Sequence, residues 1–339
     1  MLERCSSTRR YNIIRRMRIL VIGGMQFMGR EIVRRLAARG HQVTVLHRGP
    51  QHDLGAEVRN LQADRGDLAK VSELISQGRF DAVFDTAYDW QKGTPAEHVA
   101  AAARSCGDQL QRYVFMSSIA AYEPGLDHHE SDPLAREDSP NPYVKHKVTA
   151  EHMLFRMHEE TGFPVATFRP PFVHGPRQPF YREQFFWDRL LDRRPIILPD
   201  GGTGVMPWAY VSDVAEACVR AIEVPEAAGE AFNIGHVEQT TQRGFVELLA
   251  RVAGVEATLV PVARDTITAA GGQFAGSANL YFGEYLDLPP YSANVDKARR
   301  VLGVTPTPLE AALRAGFGWY QSQPRRPIDY ALENRLLAS

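Results

Sequence analysis

Apolar runs of strand length alternate with amphipathic segments from residue 17 onward. The runs are continuous, which is typical of strands buried on both faces of a parallel sheet. The segment after the first run carries Ile32, Val33 and Leu36 at helical spacing. The pattern predicts an α/β fold, a Rossmann-type doubly wound parallel sheet with helices on both faces. The predicted strands are residues 17–23, 41–49, 81–87, 112–118 and 164–173.

The pattern changes after residue 175, and the change predicts a second domain. Residues 176–204 are rich in arginine, proline and aromatic residues, while residues 205–235 return to the earlier pattern. We therefore expect a smaller, interleaved C-terminal substrate domain. The expected boundaries are 1–16 for a flexible N-terminal extension, 17–175 with 205–235 for an NAD(P)-binding domain, 176–204 with 236–325 for the substrate domain, and 326–339 for a C-terminal tail. A transit peptide is the alternative for the Arg- and Ser-bearing extension.

Composition narrows the functional classes. The 339 residues carry a net charge of -1, which gives no general attraction to nucleic acid or to anionic membranes. The three cysteines (Cys5, Cys106 and Cys218) are widely spaced and form no CxxC pair, so neither a disulfide framework nor a thiolate metal site is expected. No apolar run reaches the roughly 18 residues of a membrane helix. We expect a soluble cytoplasmic protein with a small-molecule substrate, no metal, and nucleic acid as an unlikely partner.

A glycine-bearing turn joins the first strand to the first helix. In the segment GGMQFMG, Gly23 would make the tight turn and Gly29 would allow the helix to pack on the strand. Gln26 occupies the middle position, where a glycine usually permits the approach of a phosphate. The strand–turn–helix context indicates a dinucleotide site, with a turn that binds no ligand as the alternative.

The residues after the second strand bear on cofactor choice. An NAD site usually has an acid at this point, but the chain reads His47 and Arg48. Arg48 could pair with a 2′-phosphate, so NADP is slightly favoured over NAD as the cofactor. An arginine that stacks on adenine or faces solvent is the alternative.

A serine, a tyrosine and a lysine suggest proton-transfer chemistry. Tyr143 and Lys147 are four residues apart and so share one face of a predicted helix. A nearby ammonium favours the phenolate form, which prepares a tyrosine for acid–base work. Ser118 ends a strand at the carboxyl edge, where open α/β sheets bind ligands. Capping, ion pairing and packing are the alternative roles of these three residues.

The motif series resembles a known superfamily. GGMQFMG, RYVFMSSIAAY, PYVKHK, RPPFVHGP, YVSDVAEA and FNIG follow one another in the order and spacing of the extended short-chain dehydrogenase/reductases, which include the NAD-dependent epimerase/dehydratase family. The resemblance covers residue 17 to about residue 320. The glycine turn, with HRG after the second strand, is most similar to the subgroup of chloroplast stem-loop-binding proteins.

The resemblance implies roles for particular residues. Tyr143 would move the hydroxyl proton, Ser118 would polarise the substrate oxygen, and Lys147 would tune Tyr143 and bind the nicotinamide ribose. Asp64 and Arg65 match positions that usually touch adenine. The implied cofactor contacts are Gly23, Gln26, Phe27, Met28, Gly29, His47, Arg48, Asp64, Arg65, Ala87, Lys147 and Pro170.

Departures from the family pattern limit the reaction. Ile119 and Ala120 stand where dehydratases carry an Asp-Glu pair, and neither can transfer a proton, so dehydration and decarboxylation are disfavoured. Met206 and Glu284 stand near the positions of two arginines that clamp a nucleotide-sugar diphosphate. A methionine has no charge and a glutamate repels phosphate, although Arg177, Arg182 or Arg194 could compensate.

The resulting hypothesis is a homodimeric NAD(P)-dependent oxidoreductase or epimerase acting on a secondary alcohol or ketone of a sugar-like molecule. The alternatives are a nucleotide-sugar 4-epimerase, an RNA-binding protein on a retained dinucleotide fold, and a cofactor sensor without turnover. Tyr88, Tyr122, His174 and Trp208 are the predicted substrate contacts. The wider predicted pocket wall adds Trp90, Phe180 and Tyr181, with domain packing as the alternative role of these aromatic residues.

Overall fold

The structure, a computed structural model, describes residues 16–276 and 278–338. The expected N-terminal extension therefore lies, apart from Arg16, outside the described residues, as does Cys5. Two 3₁₀ helices cover Ile119–Ala121 and Pro225–Ala227. The strands are β1 (Arg18–Ile22), β2 (Gln42–His47), β3 (Arg59–Gln62), β4 (Ala82–Asp85), β5 (Arg112–Met116), β6 (Gly125–His128), β7 (Val165–Arg169), β8 (Phe172–His174), β9 (Ile196–Pro199), β10 (Val205–Met206), β11 (Trp208–Tyr210), β12 (Glu230–Asn233), β13 (Thr240–Thr241), β14 (Leu259–Val262) and β15 (Tyr291–Ala293).

Helices connect most of these strands, as the apolar periodicity predicted. None of the described helices is long and apolar enough to cross a bilayer. The helices are α1 (Phe27–Ala38), α2 (Leu68–Gly78), α3 (Ala96–Arg104), α4 (Pro142–Thr161), α5 (Glu183–Leu191), α6 (Val211–Arg220), α7 (Gln242–Ala253), α8 (Arg264–Ala269), α9 (Asp296–Leu302), α10 (Leu309–Gln321) and α11 (Ala331–Ala338).

The central sheet has the predicted doubly wound architecture. Within the described residues its seven strands are all parallel, in the order β12-β7-β5-β4-β1-β2-β3. The chain runs outward from β1 to β3 and then crosses back to β4, so the strand order reverses between β1 and β4. Ligands of open α/β sheets bind at the carboxyl ends of strands beside such a reversal. A ligand site is therefore expected at the carboxyl ends of β1, β4 and β5.

The alternation of side chains along β1 explains why both faces of the sheet are covered. Ile19 and Val21 pack into an apolar cluster with residues of α1 and α6. Leu20 and Ile22 point the other way, into a cluster that contains residues of α2, α3 and α4. All four side chains are buried. A strand buried on both faces must be apolar throughout, which is why its sequence shows no polar alternation.

Two details of the sheet differ from the prediction. The run 164–173 forms two strands, because Pro170 and Pro171 have no backbone N–H and cannot continue a ladder. The second piece, β8, pairs with β11 outside the central sheet. The strand β3 was not predicted, because its sequence RNLQ is short and largely polar, as suits a strand at the sheet edge.

The later part of the chain contributes both to the sheet and to a second core. α6 packs on α1, and β12 adds the last strand beside β7. The second core collects apolar residues of α5, α7, α10 and α11. The expected C-terminal tail includes α11, where Leu332 is buried in that core and the Glu333 carboxylate pairs with buried Arg189. The domain boundaries themselves remain predictions.

Candidate active site

The glycine turn after β1 forms a tight cradle at the end of the strand. Gly23 has a φ of 87°, a left-handed conformation that side chains rarely adopt, and its N–H donates to the carbonyl of Leu46 at 3.2 Å. A Cβ on Gly23 would lie 2.8 Å from the Cβ of Ala87. A Cβ on Gly29 would lie 2.2 Å from the carbonyl oxygen of Gly23. Both glycines are therefore required for the close approach of turn, helix and β4.

The first turn of α1 is suited to an anionic group. Gln26 is the exposed N-cap residue, and its side chain makes no capping hydrogen bond. The first helical turn contains no acidic residue, so its free N–H groups and the helix dipole favour a phosphate. Phe27 is buried with a φ of 41°, and Met28 is partly buried. The cradle and the helix end together fit the diphosphate of a dinucleotide.

Polar residues at the end of β2 flank the same edge. The Arg48 guanidinium is 66% exposed and lies 3.5 Å from the carboxylate of Asp89. The His47 Nδ1 accepts a hydrogen bond from the Gly49 N–H at 3.1 Å, and burial lowers the pKa of His47. Arg48 is thus free to move onto a ligand, whereas His47 is held by its own turn.

The structure corrects the prediction for Arg65. Its guanidinium turns inward and forms a bidentate ion pair with the carboxylate of Asp85, at the end of β4. The hydroxyl of Tyr113 donates to the same carboxylate at 2.7 Å. A guanidinium engaged in this way is not available to adenine. Asp64 remains exposed beside it and accepts a hydrogen bond from the N–H of Gly66 at 2.8 Å.

Ser118 lies at the carboxyl end of β5, as predicted. It caps a single 3₁₀ turn, where its hydroxyl accepts from the N–H of Ala120 at 3.1 Å. The N–H of Ile119 donates to the carbonyl of Pro170 at 3.0 Å, so the buried Pro170 fixes this turn. Ile119 is buried, and neither it nor Ala120 has a titratable group. Ser118 is therefore the hydroxyl that this turn presents.

The start of α4 places Tyr143 at the same edge. Asn141 caps the helix, and its side-chain oxygen accepts from the N–H groups of Tyr143 at 3.0 Å and Val144 at 3.5 Å. Burial raises the pKa of Tyr143, while its polar interaction with Ser118 and the positive charge of Arg182 act in the opposite direction. Tyr143 is therefore a protonated phenol around neutral pH, in contact with the Ser118 turn.

Lys147 lies one helical turn further along α4 and is buried. Its Nζ donates to the carbonyl of Met116 at 2.7 Å and lies 5.6 Å from the centre of the Tyr143 ring. Burial lowers the pKa of Lys147 to about 8, so the ammonium is still the main form at pH 7. The structure thus brings the three predicted catalytic residues together where β5 ends and α4 begins.

Aromatic rings surround Tyr143. The Tyr88 ring meets it edge-on with centroids 4.8 Å apart, and the Trp90 ring stacks on it at 5.1 Å. The Tyr88 hydroxyl lies 3.1 Å from the Nδ1 of His146. Burial raises the pKa of Tyr88 to about 12, so this phenol also stays protonated. Of the four predicted substrate contacts, Tyr88 is the one that lies beside Tyr143.

The other three predicted substrate contacts are interior residues. Tyr122 hydrogen-bonds Asn233 and accepts from Arg169, and Trp208 stacks on the ring of Phe245 at 3.7 Å. His174 is fully buried, and its Nε2 lies 2.8 Å from the Nε2 of His236. Tyr122, His174 and Trp208 are all buried in the core. A substrate cannot reach them unless the core opens, so the prediction that they contact substrate is wrong.

A buried carboxyl group accompanies His174. The Glu183 Oε1 accepts from the N–H of Gly175 at 3.2 Å, and no charged guanidinium or ammonium pairs with it among the described residues. Burial raises the pKa of Glu183 to about 7. Burial also keeps the pKa of His174 well below its usual value, so this imidazole is neutral. Glu183 is therefore protonated in the folded state through mildly acidic pH.

We expect Glu183→Gln to become more stable than the wild type as pH rises. The unfolded carboxyl group ionises near pH 4.5, but the folded group resists ionisation until about pH 7. The wild type therefore loses free energy of unfolding across this range, by about 3 kcal/mol at 1.36 kcal/mol per pKa unit. Urea denaturation at pH 5, 6.5 and 8 measures the difference, with exposed Glu256→Gln as the control. A pH-independent difference would contradict the assignment.

Several residues near Tyr143 were not predicted from the sequence to belong to the site. Tyr285 lies in no motif, His146 lies within PYVKHK but was given no role, and Arg182 was considered only as a substitute phosphate clamp. Asp85 could have been noticed, because an acid at the end of a buried strand must find a partner. Phe180 and Trp90 belong to the predicted pocket wall and do lie here, whereas Tyr181 donates to Asp188 away from Tyr143.

Fold and site define a class of protein: a dinucleotide-binding α/β fold with a serine, a tyrosine and a lysine gathered at the carboxyl edge of the sheet. The chain belongs to the NAD-dependent epimerase/dehydratase family, whose model matches residues 19–235.

The chain is also similar in sequence to individual proteins outside plants and within them. The chain is 28% identical over 255 residues to the chloroplast stem-loop binding protein of 41 kDa b of Arabidopsis thaliana, a match that covers 70% of this chain and 63% of the relative. The chain therefore spans less than two thirds of that relative. A 3-diazoavenalumate denitrifying reductase of Streptomyces sp. is also 28% identical, over 86% of this chain and 96% of its own length.

Solved structures show the same fold. The UDP-glucose 4-epimerase of Thermotoga maritima superimposes with a TM-score of 0.70 at 21% identity, covering 90% of this chain and 98% of its own. A UDP-glucose 4-epimerase from Thermus thermophilus, solved with NAD, gives a TM-score of 0.67 at 22% identity, covering 90% of this chain and 99% of its own. At such identities the likeness concerns the architecture of the chain.

Proposed function

We propose that the protein is an NAD(P)-dependent oxidoreductase that acts on a ketone or secondary alcohol of a small molecule. The observation that carries this proposal is the convergence of Ser118, Tyr143 and Lys147 beside the glycine cradle at Gly23. When bound, the nicotinamide group supplies the two-electron chemistry. The turn at Gly23, the first turn of α1 and Lys147 would hold the dinucleotide.

Tyr143 is the proton donor in this proposal. Its phenol is protonated because burial raises its pKa, and a protonated group at this position can neutralise an oxygen that gains negative charge. Ser118 would donate a hydrogen bond to the same oxygen. The buried Lys147 ammonium adds positive charge near the Tyr143 ring, which assists recovery of the phenol after proton transfer.

Reduction is the direction in which Tyr143 would give up its proton. In a reduction the carbonyl oxygen becomes a hydroxyl and needs one proton, which Tyr143 holds. An epimerase would need the proton to leave the substrate and return, and it is the second candidate because the family includes epimerases. Extraction of the cofactor from the purified protein separates the two. Exchangeable NADPH or NADH supports a reductase, tightly retained NAD⁺ supports an epimerase, and a protein that binds no dinucleotide contradicts both.

A nucleotide sugar is disfavoured as the substrate by the residues at the expected clamp. Met206 is buried in the second core. The Glu284 carboxylate accepts from the N–H groups of Tyr181 at 3.2 Å and Gly276 at 3.3 Å, so it organises a loop. Neither residue can bind a diphosphate. We therefore propose a small molecule without a nucleotide.

Arg48→Ala is expected to lower the affinity for NADPH about tenfold and to leave that for NADH nearly unchanged. The guanidinium is exposed at the end of β2, and its charge-assisted hydrogen bonds to a 2′-phosphate would be lost. Dissociation constants from cofactor fluorescence test this preference, with exposed Arg59→Ala on β3 as the control. An unchanged ratio of the two constants would mean that Arg48 does not select NADP.

RNA binding is the second class of function, favoured by the match to the chloroplast stem-loop binding protein. Binding of phosphate backbones weakens steeply with salt, because bound counterions are released. A filter-binding titration with a stem-loop RNA at 50 and 200 mM salt tests this function. Salt-sensitive binding that Tyr143→Phe does not alter would support it, whereas weak, salt-insensitive retention would exclude it.

A further inference from the structure

Five aromatic side chains gather around the hydroxyl-bearing end of the site. This aromatic cluster consists of Tyr88, Trp90, Tyr143, Phe180 and Tyr285. The Trp90 ring is nearly parallel to those of Tyr143 (5.1 Å, 16°) and Tyr285 (6.2 Å, 24°). Phe180 meets Trp90 and Tyr285 edge-on, at 5.2 Å and 5.7 Å. The five rings thus pack on one another, face to face and edge to face, directly beside Tyr143.

The cluster is not an ordinary piece of hydrophobic core. Trp90 is 55% exposed although it contacts four other rings, and it lies on the loop after β4. Tyr285 has a φ of 62°, a left-handed conformation that is an outlier for a bulky side chain. Such conformations cost free energy and concentrate at functional sites. The cluster therefore holds together a large exposed ring, Trp90, and a residue in a strained conformation, Tyr285.

An arginine with spare hydrogen-bonding capacity borders the cluster. The Arg182 guanidinium lies over the Phe180 ring at 4.8 Å, and its Nε donates to the carbonyl of Glu284 at 3.2 Å. Its two terminal nitrogens make no hydrogen bond, and the guanidinium no ion pair, with any residue in the described part of the chain. Its charge is close enough to Tyr143 and Tyr285 to act on both. Arg182 is therefore able to bind an anion.

We propose that this site binds a planar aromatic carbonyl compound carrying an acidic group, with the ring stacked in the aromatic cluster and the acid paired with Arg182. The inference rests on the proposed function and names its substrate class in place of the sugar-like molecule expected from sequence. Aromatic faces bind flat rings by stacking, and a guanidinium pairs with a carboxylate in two parallel hydrogen bonds.

The arrangement suits one negative charge better than a diphosphate. Arg182 borders the cluster without a salt bridge in the described residues, and the Glu284 carboxylate lies near it. The two negative charges of a nucleotide-sugar diphosphate would meet one guanidinium and one carboxylate here. A compound with one carboxylate has its charge matched by Arg182 alone.

Binding of four probes separates the two recognition elements. The probes are 4-acetylbenzoate (ring and acid), acetophenone (ring only), levulinate (acid only) and UDP-glucose. Calorimetry uses the full chain, alone and with oxidised NAD or NADP, so that no reduction occurs. We expect 4-acetylbenzoate to bind about tenfold or more tightly than each of the other three, which corresponds to about 1.4 kcal/mol per tenfold.

Variants assign each element. Trp90→Ala is expected to weaken acetophenone and 4-acetylbenzoate about tenfold and to spare levulinate, while Trp90→Phe retains binding. Arg182→Met is expected to reduce 4-acetylbenzoate to the affinity of acetophenone. The matched controls are Leu126→Ala, where the side chain is 58% exposed, and Arg156→Met, on the exposed face of α4. Circular dichroism confirms that each variant folds.

Three results would each overturn the inference. The first is that 4-acetylbenzoate binds no more tightly than acetophenone or no more tightly than levulinate. The second is that Trp90→Ala and Arg182→Met bind 4-acetylbenzoate as the wild type does. The third is that UDP-glucose binds more tightly than 4-acetylbenzoate, which returns the substrate to the nucleotide sugars. The proposed function fails separately, if no nicotinamide dinucleotide binds or if turnover survives the loss of the Tyr143 hydroxyl. The inference can thus be wrong while the proposed function stands.

Discussion

Tyr143→Phe is expected to lower kcat by a factor on the order of 10² to 10⁴ while cofactor affinity stays unchanged. The substitution removes the phenol that donates the proton but keeps the ring that packs against Tyr88 and Trp90. The glycine cradle at Gly23 does not contact this hydroxyl, so dinucleotide binding is spared. Steady-state rates with a ketone that the wild type reduces, together with dissociation constants for NADH and NADPH, measure the two effects.

A second tyrosine gives the matched control for this experiment. The Tyr330 hydroxyl is exposed and donates to the carboxylate of Asp192 at 2.6 Å, away from the site. Tyr330→Phe loses the same atom and is expected to keep full activity. If Tyr143→Phe turns over as fast as Tyr330→Phe, Tyr143 is not the proton donor. Activity that disappears together with cofactor binding would instead mean that the variant disturbed the fold.

The parts of the site that the sequence predicted are those set by local geometry. A strand that ends at Met116 places Ser118 at the sheet edge whatever the rest of the chain does. Residues four apart on a helix share a face, so Tyr143 and Lys147 had to lie together once α4 formed. Gly23 and Gly29 were predicted for the same reason, because strand, turn and helix are contiguous. Their roles in catalysis and binding remain predictions.

The errors concern side chains whose direction depends on distant partners. Arg65 was expected to face adenine, but buried Asp85 holds it inside, since an unpaired buried carboxylate is costly. Tyr122 and Trp208 were expected in the pocket because aromatic residues suit ligands, yet they pack against Asn233 and Phe245 from later parts of the chain. No local pattern distinguishes an aromatic residue in a core from one in a pocket.

The aromatic cluster also depends on contacts between distant parts of the chain, so the sequence pattern could not predict it. Trp90 follows β4 and Tyr285 lies in the second half of the chain, and only the tertiary fold brings the rings to 6.2 Å. The exposure of Trp90 and the φ of Tyr285 are likewise properties of the folded chain. A substrate class inferred from motifs alone therefore followed the family, whereas the structure supplied the features specific to this chain.

Glu151→Ala is expected to reduce the free energy of unfolding by about 3–5 kcal/mol, the cost of leaving a buried charge without its partner. Glu151 is fully buried on α4 and accepts hydrogen bonds from Arg169, including one from Nη2 at 2.7 Å. It also accepts from the hydroxyls of Ser117 and Thr167. A guanidinium is not deprotonated in proteins, so Arg169 stays charged when the carboxylate is removed. Urea denaturation at pH 7 measures the loss.

Two controls separate the charge effect from simple loss of volume. Glu151→Leu combined with Arg169→Met removes both charges and is expected to regain more than half of the loss, because apolar side chains of similar size often replace a buried pair at little cost. Arg136→Ala breaks an exposed ion pair with Asp138 and is expected to change the free energy of unfolding little, because solvent screens the pair. A loss for Glu151→Ala no larger than that of Arg136→Ala would contradict the prediction.

This buried pair also bears on the site, because Glu151 lies on the same face of α4 as Tyr143 and Lys147. Ser117, which donates to Glu151, directly precedes Ser118. Removing the carboxylate therefore loosens α4 against the end of β5, where the three site residues meet. We expect Glu151→Ala to lower kcat even under conditions where it is fully folded, and the double variant to regain stability more completely than activity. Equal recovery of both would show that the pair serves stability alone.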